Sequence, residues 1–476
     1  MLFSSIVFLL YFLPIFLLTY YLVDRKYKNL VILVFSIFFY SWGAPKFIFI
    51  ILGTTFLDFY LVRWMAKSQV RLHRRILLTL SVSINLGLLF YFKYSGFFIQ
   101  NVDIVLTHLF HAHTLGWATL VLPLGISFYT FETITYVVDV YRGVHKPLDN
   151  VWNYQLYIIL FPKLIAGPIV RYHELADQIT DRSQNETIDD RLMGFYRFIL
   201  GLSKKVLIAN QMGAVADTVF QTNYAGLSSY SAWIGILAYT FQIYFDFSGY
   251  SDMAIGIAQM IGFKFPENFE NPYISQSVTE FWRRWHMSLG RWMKNYLYIP
   301  LGGNRVDSKM RLYFNLWIVF LISGLWHGAS WNFVFWGAYH GTFLALEKAF
   351  LLKIYDRIGK LFRTLLTFLI VAVGWVFFRV EKFHDALHYI KRMFSFDFKT
   401  SSLNFGSEFT TFFILAAFLA FFAYFQRGQK IQDALYFNTY TTKRHVVVAG
   451  LTLVLFILSV SSVTAFGFNP FIYFRF

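Results

Sequence analysis

Two histidines, His327 and His340, stand in a stretch from Leu312 to Leu346 that holds no Lys, Arg, Asp or Glu. Ionisable groups at membrane depth are costly, and they mark a pathway, a reaction or a buried hydrogen bond. Imidazole is the side chain best suited to take and give a proton near neutral pH. In an apolar wall it stays uncharged, as a general base must. His327 is therefore the first candidate for chemistry, as the base that takes the proton of an attacking hydroxyl. His340 lies 13 residues further on. On one straight helix that is roughly 20 Å and about 220° of rotation away, so the two would not share a metal there. Gly328 and Ser330 predict a break between them. No zinc spacing is present and no metal site is expected. A second Trp-rich turn surrounds His340 and favours a structural role for it. His286 comes 41 residues before His327. Alone it reads as an interfacial hydrogen-bonder; beside an intramembrane His327 it is a second catalytic group.

The segment from Asn271 to Tyr296 is the most structured in the chain. Ser277 and Glu280 have the spacing of a capping box, so a helix is expected to begin there. Trp282, Trp285, Leu289, Trp292 and Tyr296 recur at steps of three and four, one aromatic stripe. Arg284, Arg291 and Lys294 lie off that stripe. The expectation is an amphipathic helix, running through His286 and lying in the cytoplasmic interface. Two uses fit it. It anchors the protein on lipid phosphates, or Arg283, Arg284, Arg291 and Lys294, with Trp285, form a basic lip for a phosphate-bearing donor. Coenzyme A and the phosphopantetheine of a carrier protein are such donors, and Arg suits phosphate geometry.

Among the carboxylates within apolar segments, Asp246, Asp252 and Glu132 stand out. Asp246 and Asp252 are six residues apart, which is about 120° around a helix and argues against a shared-proton dyad. They bond neighbouring helices or orient a histidine. Glu132 is either protonated or paired with a basic group.

The elements that must position these groups are membrane helices. Hydrophobic residues make up 57% of the 476 residues and charged residues 14%, too little polar surface for a soluble protein. Aromatic residues reach 21%, with 58 Phe, which aromatic belts explain only in part. The net charge of +16 gathers at the ends of apolar runs, the positive-inside pattern, and nothing resembles a nucleic-acid module. The absence of cysteine excludes disulfides, thiolate metal sites and a cysteinyl acyl intermediate in this chain.

The first helix covers roughly Ser4 to Val23 and reads as retained rather than cleaved, with Arg25, Lys26 and Lys28 placing the following loop in the cytoplasm and the N-terminus outside. A hairpin of two helices turns at Trp42–Pro45. Ile76 to Phe98 crosses outward, and a loop with His108, His111 and His113 fits the outer face. Trp117 to Tyr141 crosses back. Residues 148 to 169, punctuated by Pro162, Gly167 and Pro168, read as re-entrant or interfacial, and Met193 to Val219 is of ambiguous depth. Tyr230 to Ile261 is long enough to cross. Later crossings fall near 312–325, 331–350, 361–379, 409–425 and 445–463, and an interfacial aromatic cluster, Phe466 to Phe476, ends the chain. With no repeat and no long linker, one domain over 1–476 is expected.

At this point the residues carry a resemblance. Phe92–Tyr94, Leu122–Tyr129, Val138–Gly143, Leu164–Pro168, Tyr244–Gly256, Asn271–His286, Tyr296–Arg305 and Leu325–Gly328 resemble, in order, the membrane-bound O-acyltransferase (MBOAT) family. Within it they are most similar to the alginate O-acetyltransferase membrane subunit and its peptidoglycan O-acetylating relatives. The resemblance spans roughly residues 1 to 385; the last quarter matches only in being apolar. It implies an all-α, polytopic fold, a ring of about eleven to twelve transmembrane or re-entrant helices around a central tunnel. It implies that His327 is the family's catalytic histidine and His286 its second, variable polar position; Asp246, Asp252, Glu132 and His340 are candidates for support from their own positions, not from the resemblance. The donor it implies is acetyl-CoA or another acyl thioester from the cytoplasm, with no bound cofactor. The partners it implies are the bilayer of a bacterial inner membrane, a periplasmic SGNH-hydrolase-like acetyltransferase and a polysaccharide acceptor.

Several readings stand side by side. The acceptor is an exopolysaccharide such as alginate, or peptidoglycan; a more distant version passes D-alanine to teichoic acid. The acetyl group moves directly or pauses on His327. From another class, a transporter of acyl or saccharide carriers would show paired broken helices and repeats, and a scaffold would have no use for His327.

Overall fold

The computed structural model describes residues 1–110, 116, 120–397, 405–437, 440–466 and 471–472. Among these the regular structure is helical, and the one sheet-like feature is an isolated bridge between Phe269 and Trp285. Five helices among the described residues are long and apolar enough to cross a membrane: Ile48–Lys67, Arg71–Leu109, Lys360–Arg379, Ser407–Tyr424 and Thr442–Ala465. The chain is an all-α, multi-pass membrane protein. It divides into two compact units within what the sequence reads as one domain: Met1–Gly194 with Ile257–Pro266, and Phe195–Gly256 with Glu267–Phe476.

In the first unit the expected hairpin is present, Lys28–Gly43 followed by Ile48–Lys67, with the turn at Ala44 and Pro45. The phenylalanines find their use here. Phe161 packs against the rings of Phe16 and Phe39 at 5.1 and 5.3 Å and of Phe12 at 5.4 Å. Rings so arranged fill the gaps between helices and gain quadrupole contacts as well. Two expectations are corrected. Among the described residues of the crossing expected from Trp117, 120–125 are not helical and the helix runs from Ile126, because Pro123 precedes it and Gly125 takes a left-handed φ of 73°. The segment 148–169 is covered by protein over most of its length, against an expectation that it lies at the interface: Leu156 to Val170 are buried, as a re-entrant segment packed within the protein would be. Lys163 can be buried there because Glu132 forms an ion pair with it, and its ammonium also lies 4.6 Å from the centre of the Tyr157 ring. His108 sits on the helix Ser95–Phe110, while His111 and His113 lie outside the described residues.

In the second unit the helix Ser229–Met260 brings both of its aspartates to cations. Asp246 pairs with Lys205 at 2.7 Å, and Asp252 pairs with Arg197 at 2.9 Å and Lys204 at 2.6 Å. The cations of the segment whose depth was ambiguous are thus held by carboxylates inside the unit. Phe471 and Ile472, expected at an interface, are buried: the Phe471 ring stacks on Tyr250 at 4.7 Å, and the Ile472 N–H donates to Asp246 at 2.8 Å. The rest of that tail, 467–470 and 473–476, lies outside the described residues.

The break predicted at Gly328 and Ser330 is present. One helix, Lys309–His327, ends on the histidine, and the next, Trp331–Leu346, packs back along it. Their approach depends on small residues. A Cβ on Gly324 would fall 2.2 Å from the carbonyl oxygen of Phe333, and one on Gly337 would fall 2.3 Å from that of Phe320. Close backbone contact of this kind is how helices associate where lipid removes the hydrophobic drive.

Candidate active site

The site is built around a short helix, Val278–Arg284, whose start is tied down from two sides. The Ser277 hydroxyl accepts from the Glu280 N–H at 3.0 Å, as the spacing predicts, but the Glu280 carboxylate reaches past Ser277 to the N–H of Gln276 at 2.8 Å. Glu347 supplies the rest. It is buried on a π-turn, Glu347–Leu351, and accepts from the N–H of Val278 at 2.6 Å and from the N–H and hydroxyl of Thr279 at 2.8 and 2.7 Å. A carboxylate there meets the helix's free donors and its positive end.

The expected continuous helix through His286 is corrected. The helix stops at Arg284, Trp285 is extended, and His286 takes φ 45° and ψ 52° before a new helix, Met287–Met293. The aromatic stripe does not lie on a surface either: Trp285, Leu289 and Trp292 are buried. The break has a tertiary cause. Residues 268–270 run beside it, with the Glu270 N–H donating to the Arg284 carbonyl and the Met287 N–H to the Asn268 carbonyl, both at 2.9 Å. A non-glycine residue in the left-handed region is held there only by its surroundings.

The bend turns the His286 ring inward, where it is 2% exposed. Its Nδ1 lies 3.0 Å from Asn268 Oδ1, which also receives the Ser288 hydroxyl at 2.8 Å. Phe247 meets the ring edge-on at 4.7 Å, and Nε2 has no hydrogen-bond partner among the described residues. Burial pushes the His286 pKa down to about 3, so the ring is neutral. His327 is also buried, with the rings of Trp326, Trp336 and Phe378 centred 4.9, 5.2 and 5.3 Å from its own. Trp326 connects the two histidines, since the His286 ring is 6.2 Å from it. His340 shares Trp336 with His327, at 5.2 Å, and packs on Trp282 at 4.9 Å. Neither of its ring nitrogens has a partner among the described residues.

Two adjoining cavities approach this cluster. The outer one, about 570 Å³, is lined by Arg283, Arg291, Lys294 and Lys348, with no carboxylate among its described lining residues. The inner one, about 200 Å³, is largely apolar and is lined by Trp282, Trp285, His286 and Phe320, reaching Ser323, one helical turn before His327. Arg283, Lys294, Gly290 and Tyr298 belong to both walls. Of the basic residues singled out from sequence, Arg284 goes elsewhere: it pairs with Glu280 at 3.0 Å and Glu270 at 3.5 Å. Asp246 and Asp252 are held by their cations, and Glu132 belongs to the first unit with Lys163. Lys348, Ser323, Asn268 and Glu347 escaped the sequence reading. Lys348 follows Glu347 at the charged end of the apolar run, a signal that was there to use; Asn268 becomes meaningful only once the chain is folded beside His286.

Comparison with known proteins identifies the family. A family model described as MBOAT, membrane-bound O-acyltransferase family, matches residues 2–354. A probable alginate O-acetylase AlgI of Pseudomonas putida is 41% identical over 492 residues, covering 100% of both chains. That of Pseudomonas aeruginosa is 44% identical over 406 residues, 85% of this chain and 77% of its own. A peptidoglycan O-acetyltransferase of Helicobacter pylori is 36% identical over 427 residues, 83% of this chain and 80% of its own. The chain thus belongs to the membrane-bound O-acyltransferase family and is an acyltransferase enzyme.

Proposed function

We propose that this enzyme moves an acetyl group from a cytoplasmic thioester, acetyl-CoA or an acyl carrier, to a polysaccharide on the far side of a bacterial inner membrane. Alginate or a similar exopolysaccharide is the acceptor, reached through a periplasmic SGNH-hydrolase-like partner. In this arrangement the N-terminus is periplasmic. The observation that carries the reading is the run from a cavity walled by four cations into an apolar one ending at His286 and Ser323. Phosphates suit the first, and the thioester end of a pantetheine arm suits the second. His327 is the base. It takes the proton of the attacking hydroxyl as the oxygen bonds to the thioester carbonyl carbon; the carbon–sulfur bond then breaks, and the thiol leaves with the proton that His327 returns. His286, which lines the donor cavity, is the second proton-accepting group on the donor's path. The acceptor follows the relatives named alginate O-acetylases, at 41% and 44% identity.

The test is labelled acetyl-CoA supplied to inverted membrane vesicles, with and without candidate periplasmic partners and with alginate or peptidoglycan as acceptor. Label on alginate that depends on a partner supports the reading. Label on peptidoglycan alone moves the acceptor to the class of the Helicobacter pylori relative, and no label transfer from any thioester would overturn the proposal.

A further inference from the structure

We infer that Asn268 is a positioning residue for the transfer: it fixes His286, which lines the donor cavity, in the tautomer that keeps a lone pair on Nε2. The inference rests on the proposed function only in taking His286 to lie on the donor's path.

The assignment follows from counting donors. The Asn268 side-chain nitrogen points to the Ser251 hydroxyl at 3.0 Å, which leaves Oδ1 on the other side. Oδ1 accepts the Ser288 hydroxyl at 2.8 Å and lies 3.3 Å from the Ser288 N–H, a group that can only donate. The atom 3.0 Å from His286 Nδ1 is therefore an acceptor, and Nδ1 must carry the proton. A neutral ring protonated at Nδ1 has its lone pair at Nε2, the nitrogen with no partner among the described residues, on a ring that lines the inner cavity. A swapped amide would set the Ser288 N–H, which can only donate, against an NH₂ group, while the Ser251 hydroxyl, donor or acceptor, would be satisfied either way.

Asn268 holds the backbone as well as the ring. Its carbonyl takes the Met287 N–H, so Asn268 fixes the bend at and just after the left-handed His286, and the Glu270 N–H holds the Arg284 carbonyl before it. It also stands in the wall of a separate polar cavity of about 270 Å³ with Ser251, Ser248 and Asp252. The charged groups facing this corner are accounted for. Asp252 and Glu267 are both bound by Arg197, with Lys204 on Asp252, while Arg283 and Lys294 face the ring across the inner cavity. An amide at 268 therefore orients the imidazole without adding a charge that would favour imidazolium. A carboxylate there would keep the acceptor and add the charge.

That contrast supplies the test, in inverted vesicles with labelled acetyl-CoA and the full chain. Asn268→Ala frees the ring to turn or change tautomer, and kcat is expected to fall roughly 10- to 100-fold with the donor KM unchanged. Asn268→Asp keeps every bond to Oδ1. It is expected to retain much of kcat at the alkaline end of the profile and to lose activity as pH falls through a range where the parent enzyme is flat, because the new anion raises the ring's affinity for a proton. An active, pH-flat Asn268→Asp beside an inactive His286→Ala would overturn the positioning role and leave the proposed function standing. Equal loss in both Asn268 variants, with flat profiles and poor recovery of folded protein, would reduce Asn268 to a packing residue and overturn it too. An active His286→Ala would instead remove the reading on which the inference rests.

Discussion

The buried polar groups around Lys163 in the first unit and the buried histidines of the second are treated differently. In the first unit Lys163 and Glu132 face each other, Tyr157 donates to the Val170 carbonyl at 2.9 Å, and Asp58 receives Asn85 at 2.8 Å. Around the hairpin of the second unit the buried imidazoles meet mainly rings, and His286 and His340 present nitrogens with no partner among the described residues. A polar group answered by its neighbour holds the fold; a buried one left open costs free energy unless something else occupies it. The proposed chemistry draws on this difference, and it can be broken from either side.

The largest effect is expected at His327. Replacing it with Ala should cut acetyl transfer by roughly 10²- to 10⁴-fold, the range a positioned general base supplies, while the protein still inserts and purifies in parental yield. Labelled transfer per milligram of membrane protein measures it, and turnover near the parental rate in the variant would remove the base from its role.

The first unit should respond in stability rather than in turnover. Lys163→Met leaves the Glu132 carboxylate buried without its cation, and removing one partner of a buried pair costs about 3–5 kcal/mol. Lys163→Met with Glu132→Leu should recover most of that loss, because no charge then remains to be desolvated. Thermal unfolding of the purified protein, followed for both variants, checks the pair. A double variant no more stable than the single one would mean that the pair does more than neutralise itself.

These contrasts also mark what a sequence can and cannot carry. The turn at Ala44 and Pro45, the end of a helix at His327 and the N-cap at Ser277 rest on local chemistry, and each lies where the residues put it. The break at His286 does not. Its causes are Asn268 and the short pairing of residues 268–270 with the bend, contacts made by a segment that is distant until the chain folds. The same blindness affected the aromatic stripe. Steps of three and four report that one face is apolar, but not whether lipid or protein covers it. Lys163 was hidden for a related reason, since no local pattern announces that Glu132, 31 residues earlier, will meet it.

Within the second unit the comparison can be sharpened at His340. It shares Trp336 with His327 but belongs to neither cavity wall, and its Nε2 lies against Gly374, where an added Cβ would come within 2.7 Å. His340→Leu should therefore keep transfer within a few-fold and shift stability by less than about 1.5 kcal/mol. A loss on the scale of His327→Ala would show that both imidazoles are needed for the reaction.

The basic residues give the finest discrimination, because two neighbours in sequence are used differently. Arg283 lines both cavities, while Arg284 is held by Glu280 and Glu270. A charge-assisted contact to a donor phosphate is strong enough that Arg283→Ala should raise the donor KM about tenfold with kcat little changed. Arg284→Ala removes a part-exposed ion pair, whose worth is about 1 kcal/mol or less, and should leave the donor KM within about twofold. Initial rates against acetyl-CoA concentration separate the two. If Arg284→Ala raised KM as much as Arg283→Ala did, the phosphates would lie outside the cavity, on the flank where Glu270 now holds Arg284, and the donor's path would have to be redrawn from that side.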